Sequence, residues 1–384
     1  MLEKIALSFS EMIPINRPII GEEEIQAVIK VLRSGILTEK SGHGPFASKF
    51  EKAFANYIGS KYAVSFNSGT SALHAALLAA GVGPKDEVIV PSFTFVATAE
   101  VVVLAGARPI FVDIDPKTYC MDPKEVKNAI SGRTKAIIPV HLYGHPCDMD
   151  PLIKCAHEHG IIVIEDAAQA HGTEYKGKKA GILGDLACFS FYATKNMTTG
   201  EGGMITTNSE EFMEKSRLIR SHGEKEPYKS VMVGHNYRLP EIEAAIGLVQ
   251  LGKLPRFLEA RRKNAMFLMK ELVSVESLQM PVEYNGYKHS WYLFTVRLKG
   301  ANSKIRNKMV KKLREEYVGA AVYYPIPIHK MPYYLELFGK VNLPETEEAA
   351  QQVISLPVHP AIREVELDHI VKAVKKVVAS LAID

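Results

Sequence analysis

Two residues with complementary chemistry lie near the middle of the chain: the carboxylic acid Asp166 and, 29 positions later, the amine Lys195. Asp166 follows an apolar run, residues 161–164, whose β-branched side chains predict a buried strand that presents the acid at its C-terminal end. A second predicted strand, residues 186–192, ends shortly before Lys195. Because open α/β sheets bind ligands beyond the carboxyl ends of their strands, we expect both groups at one ligand site.

The lysine and the acid have two interpretations. An isolated lysine beside a core strand ordinarily extends its ammonium group to solvent. Paired with a carboxylate, however, a lysine suits pyridoxal phosphate (PLP), whose aldehyde forms a Schiff base with the amine while the acid keeps the pyridine nitrogen protonated. We therefore predict PLP as the cofactor, with Lys195 and Asp166 as the catalytic residues.

Other residues near predicted strand ends have both a structural and a functional interpretation. The stretch from Asn67 to Ser71, Asn-Ser-Gly-Thr-Ser, precedes an apolar helix, where hydroxyl groups either cap the helix or bind phosphate. Phe95 follows the predicted strand 87–91, and its ring either packs in the core or stacks on a planar cofactor. His329 follows a proline-rich segment and is either a structural residue or one that faces the substrate cleft.

Predicted strands alternate with predicted helices from residue 62 to residue 207, which indicates an α/β fold with a mostly parallel sheet and right-handed crossovers. A later helix is expected to end at Leu251, and Pro255 to begin the next one. We place a domain boundary there, with an N-terminal arm and large PLP-binding domain in residues 1–251 and a smaller α+β domain in residues 252–384. The run Arg261-Arg262-Lys263 is interpreted as a solvated helix face.

Composition excludes several classes of protein. The 384 residues are 47% hydrophobic and 23% charged, an ordinary globular balance. The net charge of +4 and the lack of a basic stripe with interleaved aromatics disfavour a nucleic-acid partner. No apolar run reaches membrane-spanning length, residues 1–12 do not resemble a secretory signal, and the four cysteines show no Cys-x-x-Cys spacing, so we expect a cytoplasmic protein with reduced thiols.

Cys155, His157 and His159 are two positions apart, where helical side chains diverge, and we predict no metal site.

Six stretches together resemble the DegT/StrS family of PLP-dependent sugar aminotransferases. They are Asn-Ser-Gly-Thr-Ser-Ala-Leu from Asn67, Pro-Ser-Phe-Thr-Phe from Pro91, Glu-Asp-Ala-Ala-Gln-Ala-His-Gly from Glu165, Ser-Phe-Tyr-Ala-Thr-Lys from Ser190, Thr-Thr-Gly-Glu-Gly-Gly from Thr198, and Gly-His-Asn-Tyr-Arg from Gly234. The similarity covers residues 13–250 closely and the second domain more loosely. It implies an aspartate-aminotransferase-like fold with a seven-stranded, mainly parallel sheet, and an active site shared within a homodimer.

The resemblance also implies roles for individual residues. Lys195 would be the Schiff-base lysine and general base, Asp166 the partner of the pyridine nitrogen, and His329 would match, more loosely, a histidine near the active site of relatives. The remaining cofactor contacts would hold the phosphate or the ring: Ser68, Gly69, Thr70 and Ser190 at the phosphate, Asn236 reaching it across the dimer interface, Phe95 stacked on the ring and Gln169 against the ring hydroxyl.

The resemblance implies amino transfer from a donor, L-glutamate, to a keto group of a nucleotide-linked sugar. A branch of the family that carries histidine in place of the lysine performs dehydration, and Lys195 assigns this chain to the aminotransferases. Two alternatives stay open, a keto-cyclitol acceptor and a PLP-binding regulator without turnover. A nicotinamide dehydrogenase is disfavoured, because residues 200–203 do not form a Gly-x-Gly-x-x-Gly turn after a first strand.

Overall fold

The structure is a computed structural model that describes residues 11–41 and 44–381. The prediction that the chain has no secretory signal concerns residues 1–12, most of which lie outside these ranges. Within the described ranges, no helix combines the length and the apolar character needed to span a bilayer.

A seven-stranded sheet forms the centre of the first 207 residues, in the order β1-β9-β8-β5-β4-β2-β3. Strand β9 is antiparallel to both β1 and β8, and the other neighbours are parallel. The predicted mostly parallel sheet is therefore confirmed. The strands up to β9 are β1 Tyr62–Phe66, β2 Glu87–Pro91, β3 Arg108–Val112, β4 Thr134–Ile137, β5 Ile162–Asp166, β6 Glu174–Tyr175, β7 Lys178–Lys179, β8 Leu186–Ser190 and β9 Gly203–Thr207.

Helices cover both faces of this sheet because successive strand residues point to opposite sides. In β2, Val88 and Val90 pack in the cluster that includes α3, α4 and α7, whereas Ile89 packs in a second cluster with α5 and α6. The first eight helices are α1 Glu22–Ser34, α2 Pro45–Ile58, α3 Gly69–Ala79, α4 Ala97–Leu104, α5 Pro123–Ala129, α6 Met149–Glu158, α7 Glu210–Arg220 and α8 Glu241–Leu272.

The C-terminal part has its own three-stranded sheet, in the order β12-β14-β15, which packs with α9, α12 and the end of α8 in a separate hydrophobic cluster. Its antiparallel strands and amphipathic helices agree with the predicted α+β character. The remaining elements are β10 Glu224–Glu226, β11 Lys229–Ser230, β12 Leu278–Gln279, β13 Tyr287–Lys288, β14 Phe294–Leu298, α9 Ser303–Glu315, α10 Pro332–Phe338, α11 Pro344–Gln352, β15 Val353–Leu356 and α12 Glu364–Leu381.

Helix α8 is continuous for 32 residues and contains Pro255 in its interior. The prediction that one helix ends at Leu251 and another begins near Pro255 is therefore wrong. A proline inside a helix removes one hydrogen bond, but Leu254 and Phe257 on either side of it are buried, and this packing offsets the local loss. The domain division between residues 251 and 252 falls inside the helix and stays a proposal, supported by the separate C-terminal cluster.

Candidate active site

One cavity of about 520 Å³ lies where the carboxyl ends of strands β5 and β8 meet the start of helix α3. Asp166 ends β5 and Ser190 ends β8, so the sheet itself delivers both side chains to this place. The structure brings together eight of the ten predicted site residues as lining of this cavity: Ser68, Gly69, Thr70, Phe95, Asp166, Gln169, Ser190 and Lys195.

Asp166 is a buried carboxyl group whose hydrogen-bond partners are neutral. Thr98 Oγ1 donates to Oδ2 at 2.8 Å, and the backbone N–H of Ala168 donates to Oδ1 at 3.2 Å. Burial raises the pKa of Asp166, while these two hydrogen bonds and the Lys195 ammonium act in the opposite direction. A buried carboxylate is stabilised most by a cation with an N–H group, and a protonated pyridine nitrogen in the cavity would meet that requirement.

Glu165, the neighbour of Asp166 in β5, points to the other face of the sheet and has a structural role. Its carboxylate accepts backbone N–H bonds from Gly181, Leu183 and Gly184 at 2.8–2.9 Å and lies 2.9 Å from His141 Nε2. The two adjacent acids are thus separated by the alternation of the strand, and only Asp166 lines the cavity.

The start of helix α3 forms an anion-binding geometry. Ser68 is the N-cap and its Oγ accepts the N–H of Ser71 at 3.0 Å, so the capping interpretation is correct for Ser68. The N–H groups of Gly69 and Thr70 belong to the first turn, where no intrahelical acceptor exists, and they remain available to a phosphate. A Cβ atom at Gly69 would lie 2.7 Å from Ser190 Cβ, so only glycine allows the helix start and the end of β8 to approach this closely.

Lys195 lies in the loop after β8 and is half-buried. Its Nζ atom is 4.7 Å from the centroid of the Tyr292 ring, and its backbone N–H donates to Tyr192 O at 2.9 Å. The side chain therefore ends at the cavity, beside an aromatic ring, and does not extend freely into solvent. Thr194, the preceding residue, is 2.9 Å from the Tyr292 hydroxyl through Oγ1, which ties the lysine loop to the same tyrosine.

Further aromatic side chains line the cavity. Phe95 is 55% exposed, whereas Phe93, two residues earlier, is completely buried, so the core interpretation applies to Phe93 and not to Phe95. Tyr324 lies 6.1 Å from Phe95 between ring centroids, and its hydroxyl oxygen accepts Gln169 Nε2 at 3.0 Å. The other end of the Gln169 amide is fixed, because Oε1 accepts the backbone N–H of Tyr143 at 2.7 Å.

Sequence reasoning missed Tyr292, Tyr323 and Tyr324, which also line the cavity. Tyr324 stands one residue before a proline-rich segment that the sequence marked as stiff, and that segment is the signal that could have identified it. Burial raises the pKa of the Tyr324 hydroxyl well above its usual value, so the group stays protonated and can donate a hydrogen bond.

The structure does not bring Asn236 or His329 into this cavity. Asn236 is exposed in the segment before α8, and its predicted role across a dimer interface stays a prediction. His329 is buried, with Nδ1 2.6 Å from Ser92 Oγ and Nε2 3.2 Å from Glu347 Oε1. Both ring nitrogens are therefore engaged within the protein, and the geometry favours the structural interpretation of His329 over a substrate contact.

The lining as a whole fits PLP. It offers the N–H groups of a helix start, a close glycine contact between α3 and β8, a buried acid whose hydrogen-bond partners are neutral, and a lysine amine. These groups define the active site of a PLP-dependent aminotransferase.

The comparisons with known proteins agree. The model of the DegT/DnrJ/EryC1/StrS aminotransferase family matches residues 18–375, and the chain belongs to this family. It is 42% identical over 341 residues to the GDP-perosamine synthase of Caulobacter vibrioides, and the match covers 88% of this chain and 91% of that protein. It is 37% identical over 385 residues to the spore coat polysaccharide biosynthesis protein SpsC of Bacillus subtilis, which covers 96% and 98%. The X-ray structure of S. venezuelae DesV has a TM-score of 0.88 at 36% identity and covers 93% of this chain and 94% of that one.

The predicted family, fold, cofactor and class of enzyme are therefore confirmed: the chain is a PLP-dependent aminotransferase of the aspartate-aminotransferase-like fold that acts on a sugar. The interpretation as a nicotinamide dehydrogenase is not supported by these matches.

Proposed function

We propose that this enzyme transfers the amino group of L-glutamate to a keto group of a nucleotide-linked sugar, with Lys195 and Asp166 as its catalytic residues. The observation that carries the proposal is the convergence of eight predicted residues, from four separate stretches of sequence, on one cavity. The nucleotide-linked acceptor has support from the name of the GDP-perosamine synthase, a relative at 42% identity.

In this proposal Lys195 is the base. When bound, PLP supplies an aldehyde that condenses with amines and a cationic ring that withdraws electrons. The freed Nζ of Lys195 accepts the proton from the α-carbon of the amino donor, and in the second half-reaction it delivers a proton to the sugar carbon that becomes the amine-bearing carbon. The Tyr292 ring beside Nζ excludes water from one side of the amine and restricts its path.

Asp166, Phe95 and Gln169 would position the reactants. The carboxylate of Asp166 would accept the hydrogen bond of a protonated ring nitrogen, and Thr98 holds the carboxylate in one orientation through its bond of 2.8 Å. Phe95 would stack on the ring, and Gln169, fixed at both ends of its amide, would lie against the ring hydroxyl. Ser68, Gly69, Thr70 and Ser190 would bind the phosphate, which the helix dipole would also attract.

We also propose a homodimer in which Asn236 reaches the phosphate of the other subunit. Asn236 is exposed on its own chain and stands near a hairpin with large exposed apolar side chains, among them Tyr228, 91% exposed, and Val233, 84% exposed. A second copy that covers this hairpin would remove these apolar groups from water, which favours association.

The test is a product analysis with the PLP-loaded protein and L-glutamate. Keto sugars linked to guanosine, uridine and thymidine diphosphates are offered in parallel with keto-cyclitols, and mass spectrometry follows both 2-oxoglutarate and the aminated product. Amination of a nucleotide-linked sugar is the expected result. Amination of a keto-cyclitol alone would refute the proposed acceptor, and product formation only with another amino acid would refute the proposed donor.

A further inference from the structure

Arg261 is a fully buried arginine that the proposed reaction does not use. It is 2% exposed, so the interpretation of Arg261-Arg262-Lys263 as a solvated face is wrong for this residue, although Arg262 and Lys263 are exposed. Burial lowers the pKa of its guanidinium to about 10. A buried charge without an opposite charge is destabilising, and such a residue calls for an explanation.

All hydrogen-bond acceptors of Arg261 among the described residues are neutral oxygens. Nη1 donates to the backbone carbonyls of Trp291 and Tyr292 at 3.2 and 3.1 Å, and Nη2 donates to Asn16 Oδ1 at 2.9 Å. The described part of the chain contains no carboxylate that forms an ion pair with it. The planar fork of the guanidinium therefore joins helix α8 to two distant segments, the arm around Asn16 and the loop at residues 291–292.

Both segments contact the loop that contains Lys195. Asn16 Nδ2 donates to the backbone carbonyl of Thr194 at 2.5 Å, so the N-terminal arm is hydrogen-bonded to the residue before Lys195. Arg261 also donates to the backbone carbonyl of Tyr292. The hydroxyl of Tyr292 contacts Thr194 Oγ1, and its ring lies beside Lys195 Nζ. Arg261 thus fixes the lysine loop from two sides without lining the cavity itself.

We propose that Arg261 is a positioning residue for Lys195, which it orients through Asn16 on one side and Tyr292 on the other. This inference rests on the proposed function, because it assigns to Lys195 the role of the reacting amine. It also gives the N-terminal arm a part in the active site: residues 13–16 are held in place by Arg261 and by His359, whose Nε2 lies 3.1 Å from Pro14 O.

The test compares four single variants as PLP-loaded proteins, Arg261→Met, Arg261→Lys, Asn16→Ala and the control Arg306→Met, together with the double variant Arg261→Met/Asn16→Ala. Arg306 is an equally buried arginine with unpartnered nitrogens, but it lies on α9, away from the cavity, and reports the general effect of losing such a group. Two readouts are taken, the limiting rate and half-saturation of the half-reaction with L-glutamate, and the fraction of Lys195 that borohydride fixes to PLP at equal cofactor occupancy.

We expect Arg261→Met and Asn16→Ala to lower the limiting rate by between about tenfold and a hundredfold, because a misplaced catalytic group reacts slowly, with half-saturation nearly unchanged. Arg261→Lys does not restore the rate, since an ammonium cannot reproduce the planar fork. The double variant of Arg261 and Asn16 is no slower than Arg261→Met, because both changes break one connection. The fraction of Lys195 fixed by borohydride falls in parallel, whereas Arg306→Met changes only the melting temperature.

An Arg261→Met enzyme that reacts and is labelled like Arg306→Met would overturn the inference. If Arg261→Met does not fold, Asn16→Ala and Arg261→Lys decide, and normal rates and labelling in both would overturn it equally. Labelling also separates the two proposals: a wild-type protein that is labelled at Lys195 but does not react with L-glutamate refutes only the donor. A wild-type protein without label at Lys195 refutes the proposed function and this inference together.

Discussion

Gly69→Ala tests whether the contact between helix α3 and strand β8 builds the phosphate site. The new Cβ would lie 2.7 Å from Ser190 Cβ and 3.2 Å from Ser190 Cα, whereas carbon atoms in contact are normally about 3.5–4.0 Å apart. The helix start and the strand end must therefore separate by about 1 Å. Overpacking of this kind destabilises a protein by about 1–3 kcal/mol.

The same displacement moves the N–H groups of Gly69 and Thr70 away from the Ser190 hydroxyl. A hydrogen bond to a charged group contributes about 1.5–3 kcal/mol, so the loss of one weakens PLP binding by between about tenfold and a hundredfold. Equilibrium titration of the cofactor-free protein with PLP measures this loss, and a thermal melt of the cofactor-free protein measures stability separately. Gly252→Ala in helix α8 is the control, because no atom lies within 4 Å of its added Cβ and the helix should gain about 0.5–1 kcal/mol. Unchanged PLP affinity in Gly69→Ala would refute the reasoning.

Three further predictions concern buried titratable side chains. Burial raises the pKa of Asp166, so the cofactor-free protein loses stability as pH rises through that pKa. The Asp166→Asn variant should therefore have a higher melting temperature than the wild type at alkaline pH, and it should bind PLP weakly. A melting temperature equal to or below that of the wild type would contradict this prediction. Burial, and to a smaller extent the charges of Lys195 and Arg261, lower the pKa of His171 from 6.5 to about 3. The folded protein therefore loses stability as pH falls from 6.5 towards 3, and His171→Phe should reduce the slope of stability against pH in that range. An unchanged slope would show that His171 does not cause this loss. His329→Asn should destabilise the protein by about 1–3 kcal/mol without changing KM for L-glutamate, and a selective rise in KM would instead reveal a substrate contact.

The central sheet and much of the cavity were predictable because both depend on local patterns. A run of β-branched residues that ends in an acid specifies a buried strand and the place of its last side chain, which is why Asp166 was located correctly. The same reasoning predicted the strand and the helix but not their bounds: β8 ends at Ser190 and not at residue 192, and α3 begins at Gly69, inside the stretch that was expected to precede the helix.

The features that sequence reasoning left open or misjudged depend on contacts between distant parts of the chain. His329 is engaged by Ser92, 237 positions earlier, and no local pattern shows which neighbours a histidine will have. Arg261 stands in a run of three cations that is typical of a solvated face, but in the structure it is buried and donates to Asn16 and to residues 291–292. The continuity of α8 through Pro255 likewise follows from packing and not from helix propensity.

The most direct test of the account is covalent fixation of the cofactor. The purified protein is incubated with PLP, reduced with borohydride, digested and analysed by mass spectrometry, with Lys195→Ala as the matched control. The account predicts a pyridoxyl group on the peptide that contains Lys195 in the wild-type protein, and none at that position in the variant. A wild-type protein that carries the group on a different lysine, or on none, would contradict the account.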